Sequence, residues 1–304
     1  MRTSRPAVRL LLGALFLGSL VAAVPRSSAA PQPAAPKSAA PLALTMPDKP
    51  ESLKFAVLGD FGTGSRQQYQ LAEVMARVHG QFPFDLVILV GDNLYGSERP
   101  QDFAKKFEIP YKPLLDKGVK FQASLGNHDA REQVYYKLFN MDGRQYYSFK
   151  GSKQSVRFFA LESTYLKPEQ VQWFEKEVQD SGSDWKIPYF HHPPYSSGER
   201  HGSDARLREV LEPLFVKYNV SVVFTGHDHF YERVKPQKGI VYFVVGAGGQ
   251  LRKGNIDKSS GLTDKGNDTD YSFMVAEING DQMHFNAISR LGEVFDSGVI
   301  PRRK

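Results

Sequence analysis

Cysteine is absent from the 304 residues, which excludes disulfides and thiolate metal sites together and leaves nitrogen and oxygen donors for any bound cation. Long apolar runs are nearly absent too. The run Leu10 to Val24 falls short of the roughly 20 residues that a helix needs to span a bilayer, so no stable membrane insertion is expected. No block of Lys or Arg interleaved with aromatics is present, which argues against a nucleic-acid partner. The formal charge of +6 does not change this, because four of those charges (Arg2, Arg5, Arg9 and Arg26) lie in an acid-free stretch, residues 1–30, and the remainder carries about +2. A phosphate-cradling glycine loop is missing as well: "GAGGQ", Gly246 to Gln250, has neither G-x-G-x-x-G spacing nor a P-loop lysine and reads as a turn that lets backbones approach closely.

What is present divides into three parts. Residues 1–30 have the arginines, apolar stretch and small-residue end ("SSAA") of a secretory signal, which predicts a secreted, periplasmic or extracellular protein. Residues 31–50 are rich in Ala and Pro and read as a linker, and residues 51–304 as one catalytic domain. In its first two thirds, short apolar runs alternate with helical patterns. "KFAVLGD", "DLVILVGD", "KFQASLGNHD", "WKIPYFHH" and "VSVVFTGHDH" predict buried strands. "SRQQYQLAEVMARVH" predicts a helix capped by Ser65 and Gln68, "PEQVQWFEKEVQD" one with Val171, Phe174 and Val178 facing inward, and "DARLREVLEPLFVKYN" a third. The last third is strand-rich, with a hairpin at Asn279 and Gly280. The class is α/β.

The informative regularity is where the five strands end. Each closes on possible metal donors: Asp60; Asp92 with Tyr95; Asn127 with His128; His191 with His192; His227 with His229. Five of the eight histidines sit in these turns, and the carboxyl ends of strands in open α/β sheets are where ligands collect. His201, His79 and His284 read as a loop residue and two structural residues.

In this order, "GDFG" (Gly59 to Gly62), "GDNLY" (Gly91 to Tyr95), "GNHD" (Gly126 to Asp129), "HHPPY" (His191 to Tyr195) and "GHDH" (Gly226 to His229) resemble the motif blocks of the calcineurin-like metallophosphoesterases. Tyr95, three residues after Asp92, and the extended "GHDHFYERVKP" resemble the purple acid phosphatase branch. The resemblance implies a four-layer αββα sandwich of two mixed sheets flanked by helices. It implies that Asp60, Asp92, Tyr95 and His229 hold iron(III), while Asn127, His191 and His227 share Asp92 with a divalent iron, zinc or manganese ion. His128 and His192 are the catalytic candidates for general acid. Adjacent histidines at 191 and 192 leave their ligand and substrate roles exchangeable. The implied activity is hydrolysis of small phosphomonoesters at acid pH by in-line attack of a metal-bound hydroxide. A phosphodiesterase or nucleotidase on the same scaffold, or a non-catalytic metal- or phosphate-binding protein, are the alternatives.

Overall fold

A computed structural model describes residues 42–182 and 184–304. Strand β1 (Leu53–Leu58) leads through helix α1 (Arg66–Gln81) to β2 (Leu86–Val90). A segmented helix follows, made of α2 (Pro100–Phe103), a π turn (Ala104–Glu108) and α3 (Ile109–Leu115), and it delivers the chain to β3 (Lys120–Ser124). After two 3-10 turns come β4 (Tyr147–Lys150), β5 (Val156–Ala160), α4 (Pro168–Asp180), β6 (Trp185–Tyr189), α5 (Ala205–Lys217) and β7 (Val222–Thr225). The remainder is strand: β8 (Tyr231–Val234), β9 (Val241–Val245), β10 (Thr263–Asn267), β11 (Ser272–Asn279), β12 (Gln282–Ser289) and β13 (Val294–Pro301).

Two mixed sheets result. The first runs β13-β12-β11-β1-β2-β3, with β1, β2 and β3 parallel and the other pairings antiparallel. The second runs β10-β8-β9-β7-β6-β5-β4 around a parallel centre of β9, β7, β6 and β5. The sheets are joined by aromatic packing: Phe55 of β1 stands edge-on to Phe158 at 5.3 Å and to Phe224 at 6.1 Å, and Phe243 meets Phe285 at 5.1 Å. Each such pair adds roughly 0.5–1.5 kcal/mol beyond area burial. On the outer faces, the apolar stripe of α1 (Leu71, Val74, Met75, Val78) joins the core of the first sheet, and Phe174 of α4 and Phe215 of α5 pack with Phe159 of the second. The chain is thus an αββα sandwich, as expected. Burial on both faces explains the continuous apolar run LVILV of β2.

Local detail departs from expectation in two helices. Ser65 caps α1 by accepting from the Gln68 amide at 3.3 Å. The Gln68 side chain does not return to the cap; it accepts from Gly64 N at 2.7 Å and donates to Lys106 O, tying α1 to the π turn. In α4, Gln170 rather than Val171 is the buried residue. Its amide accepts from Glu162 N at 2.8 Å and donates to Glu162 O at 2.7 Å, which fixes the loop after β5.

The signal segment and residues 31–41 of the expected linker lie outside the described residues. Residues 42–50, placed in the linker by composition, belong to the domain. Leu42, Leu44 and Met46 pack on the core, Thr45 N donates to Asn286 Oδ1 at 2.9 Å, and the amides of Asp48 and Lys49 donate to Glu277 at 2.7 Å each. Buried Glu277 and Asn286 point out of β11 and β12 and need these partners, so the domain includes residues 42–50 ahead of Glu51. Among the described residues no helix is long and apolar enough to cross a membrane.

Candidate metal centre

The five turns meet between the carboxyl ends of the two parallel strand sets. Asp60, Asp92 with Tyr95, and Asn127 with His128 follow β1, β2 and β3 of the first sheet. His191 with His192 and His227 with His229 follow β6 and β7 of the second. Two groups bring their ligand atoms within 4.8 Å of one another: Asp60, Asp92 and His229, and His191, His192 and His227. In the first, the Tyr95 hydroxyl donates to Asp60 Oδ1 at 3.1 Å and lies 3.2 Å from His229 Nε2. In the second, His191 Nε2 is 3.1 Å from Asn127 Oδ1 and 3.2 Å from His227 Nδ1. Asp92 Oδ1 stands 3.3 Å from His191 Nε2, so Asp92 belongs to one group and touches the other.

Backbone geometry makes the convergence possible. Asp60 (φ 54°), Asp92 (φ 50°) and His227 (φ 71°) all occupy the left-handed region, at roughly 1–2 kcal/mol each for residues with a Cβ. Asp, Asn and His tolerate this region better than most residues. The strain is offset locally: Asp60 N donates to Gly91 O at 3.0 Å, and His227 N donates to Asp60 Oδ2 at 3.0 Å. The glycines of two motifs provide room. A Cβ on Gly126 would overlap Asp92 Oδ1, and one on Gly226 would overlap Asp60 Oδ2. The "GAGG" stretch also approaches closely, with Gly248 N donating to Gly59 O and Gly249 N to Asp60 O, both at 3.0 Å.

Both adjacent histidines at the end of β6 reach the cluster, with different tethers. His191 is fully buried and its Nδ1 lies 3.0 Å from Val90 O, which turns Nε2 to the other donors. The His192 Nδ1 lies 2.9 Å from Ser163 Oγ, and its ring packs 4.3 Å from that of His227. His128 is exposed, with its amide donating to Asp92 Oδ1 at 3.0 Å and its ring 4.9 Å from Tyr95.

Sequence reading missed several supports. Asp129 does not hold His128; it accepts from the amides of Gly126 (2.8 Å), Asn93 (3.0 Å) and Leu94 (3.0 Å), clasping the β2 and β3 turns. Asp228, between the paired histidines, accepts from Ser196 Oγ at 2.6 Å and Gly202 N at 3.1 Å, anchoring the loop after "HHPPY". That loop carries His201, read from sequence as plain connection, to 4.2 Å from the His227 ring. Arg252 Nη1 lies 3.4 Å from His201 Nε2, and its amide donates to His229 O at 2.9 Å. Arg200 and His201 border a cavity of about 420 Å³ that opens beside His192 and His227. No motif spacing announces Ser163 or Arg252. His79 and His284 lie away from the cluster, His79 edge-on to Phe84 at 5.0 Å and His284 in β12.

The charge pattern suits cation binding. Burial, and then the charge on His191, push His227 down to about 2 and His192 to about 3. Burial followed by Arg252 pushes His229 to about 4. These imidazoles therefore stay neutral, the form that ligates. His191 goes the other way: burial lowers it, but Asp92 and Asp60 outweigh this and lift it to about 10. Burial likewise works against ionised Asp92, yet the His191 charge holds its carboxyl well below the usual range. Burial raises Asp60 and, with the Asp60 charge behind it, raises the Tyr95 phenol far above its ordinary value. Without a cation, a proton on His191 balances Asp92. Buried oxygens on one side, neutral imidazoles on the other and glycines that leave space for both fit a pair of bound metal ions.

Residues 53–231 match the family model described as calcineurin-like phosphoesterase, and the chain belongs to that family. It is 29% identical over 251 residues to purple acid phosphatase 15 of Arabidopsis thaliana, a match covering 67% of this chain and 46% of the relative, so it spans about half the length of such a relative. Among solved structures, purple acid phosphatase PPD1 from yellow lupin aligns with a TM-score of 0.67 at 18% identity, covering 85% of this chain and 55% of that one. GAP50, the anchor in the inner membrane complex of Plasmodium, aligns with a TM-score of 0.71 at 19% identity, covering 83% and 90%. At these identities the solved structures speak for the fold alone.

Proposed function

We propose that the protein is a dinuclear metal-dependent acid phosphatase acting on small phosphomonoesters outside the cytosol. The observation that carries the proposal is the meeting of Asp60, Asp92, Tyr95, Asn127, His191, His227 and His229 from five separate turns around one space. In this reading Asp60, Asp92, Tyr95 and His229 hold one ion, and Asn127, His191 and His227 share Asp92 with the other. The pair of cations supplies activation of water and neutralisation of charge on the phosphoryl oxygens.

The protein's own side chains do the rest. A tyrosine with carboxylates suits a hard trivalent ion and imidazoles with an amide oxygen a borderline divalent one, which supports iron(III) in the first position and a divalent iron, zinc or manganese in the second. Arg200 and Arg252 present a positive rim to the departing and incoming phosphate, and burial, then these two arginines, hold His201 beside them below its ordinary value. His128 is the group that gives a proton to the leaving oxygen, because it is exposed at the mouth and free of side-chain tethers. His192 positions the site: bonded to Ser163 and packed on His227, it fixes the imidazole layer.

Purified full-length protein tests this. The expected result is two metal equivalents including iron, a visible absorption band from tyrosinate, and a kcat/KM for 4-nitrophenyl phosphate at least tenfold above that for bis(4-nitrophenyl) phosphate below neutral pH. Metal at two equivalents with no turnover of either ester would overturn it. Preference for the diester would redirect it to a phosphodiesterase.

A further inference from the structure

Arg252 lines one cavity and touches His201, which lines another. One side reaches His201 over the metal-centre rim; the other lines a second cavity of about 710 Å³ together with Arg66, Gln70, Lys253, Asp270 and Arg290. Asp270 is the acid of this set, and it is engaged by Arg290 at 2.9 Å. Arg290 also donates to Gln70 at 3.0 Å, which holds it against the wall. Among the described residues Arg66, Lys253 and, at the metal-centre rim, Arg200 form no ion pair, and Arg252 feels the Asp228 charge without pairing to it. A folded chain usually scatters or pairs its surface cations, since unpaired like charges in one place repel. The N-terminus of α1 adds to the field: Arg66 opens that helix, and its first turn holds no acid.

We propose that this cavity is an anion subsite that seats a second phosphate of the substrate, making the preferred substrates compounds that carry further phosphoryl groups beyond the one cleaved. This rests on the phosphatase reading. Arg252 is the joint between the two sites: it lies within reach of His201 on one side and shares the cavity wall with Arg66 and Lys253 on the other. A single-phosphate ester uses the metal-centre rim alone. A chain of phosphates reaches along half-buried Arg252 to the exposed cations Arg66 and Lys253, where charge-assisted hydrogen bonds hold it and orient the terminal group.

The test compares full-length wild type with the double variant R66Q/K253Q, both purified with their metals. Calorimetry with the methylene-bridged, non-hydrolysable analogue of tripolyphosphate should show at least a tenfold loss of affinity in the variant, with methylphosphonate binding unchanged. In turnover, kcat/KM for tripolyphosphate should fall at least tenfold, mainly through KM, while kcat/KM for 4-nitrophenyl phosphate stays within twofold. Equal affinity of both proteins for the triphosphate analogue overturns the subsite even if both are active phosphatases. Loss of affinity in the variant with no hydrolysis by either protein supports the subsite and defeats the phosphatase reading instead. A circular dichroism melt within a few degrees of wild type confirms that the variant is folded; R66K/K253R, which keeps the charges, should restore binding.

Discussion

The two sheets contribute different chemistry to one centre. The first, through the ends of β1, β2 and β3, delivers the oxygen donors Asp60, Asp92, Tyr95 and Asn127. The second, through β6 and β7, delivers the imidazoles His191, His227 and His229. Neither sheet holds a complete set. Each of the two proposed ion positions draws oxygen from one sheet and nitrogen from the other, so occupancy and sheet packing are linked. The largest expected effect follows from this asymmetry. Asp92 touches both groups, whereas His227 touches one. D92N should therefore lose both metal equivalents and at least about a thousandfold in kcat/KM, the scale of losing the electrostatic centre of a reaction. H227N should keep close to one equivalent. Elemental analysis of the two variants showing the same metal loss would break the comparison.

Metal removal comes next. Ions that bind only the folded chain stabilise it by about 4 kcal/mol at a thousandfold excess over Kd. In a domain of this size, that is a melting shift on the order of 10 °C. Chelation should lower the midpoint of wild type by about this much and leave D92N unmoved. A wild type indifferent to chelation would mean that ion occupancy and sheet packing are not linked.

The imidazoles of the second sheet differ among themselves in how they hold protons. In the metal-free protein His191 is lifted to about 10 and so carries a proton at pH 7.5, while His227 and His229, at about 2 and 4, carry none. Coordination requires the neutral ring, so metal uptake must expel the His191 proton. The sign is therefore release: apparent metal affinity should climb about tenfold per pH unit from 6 to 9. Calorimetry in buffers of different ionisation heat should count about one proton released at pH 7.5. Proton uptake, or a flat profile, would contradict the assignment of charge to the His191–Asp92 pair.

A smaller contrast separates the two catalytic candidates, one on each sheet. H128N should lower kcat about a hundredfold for alkyl phosphates, whose leaving group needs a proton, and far less for 4-nitrophenyl phosphate. H192N should change KM more than kcat for both. Equal leaving-group sensitivity in the two variants would remove the distinction drawn from exposure and from the Ser163 bond.

Much of this was legible in sequence because the centre is built at strand ends. Buried parallel strands advertise themselves as apolar runs, and each run stops at the residue that leaves the sheet, so Asp60, Asp92, Asn127, His191 and His227 stood out as the first polar residues after β1, β2, β3, β6 and β7. What could not be read depends on loops meeting across the fold. Asp129 and Asp228 look like turn residues until the amides they receive are known. His201 sits in a polar loop whose return path over His227 is set by Asp228. The strands β4 and β10 carry polar, partly exposed edge sequences without a clear period, and β8 merges with the motif that precedes it. Composition alone reads residues 42–50 as linker, because "LALTMPDKP" owes its order to two buried polar groups elsewhere in the chain, Glu277 and Asn286.

Those groups give the smallest effect, in the antiparallel half of the first sheet and away from its metal donors. Glu277 is fully buried in β11 and accepts the amides of Asp48 and Lys49 at 2.7 Å each. In E277Q the amide oxygen can still accept one of these bonds, but its NH₂ faces a donor. One backbone amide is then left without a partner, at about 1–3 kcal/mol. Because Leu42, Leu44 and Met46 lean on the same sheet, the loss should loosen residues 42–50 without reaching β1 or Asp60. Hydrogen exchange should speed up in this segment while kcat and metal content stay at wild-type values. If metal content fell as well, the two halves of the first sheet would be one cooperative unit, and the contrast between a metal-bearing parallel edge and a separately anchored antiparallel edge would have to be given up.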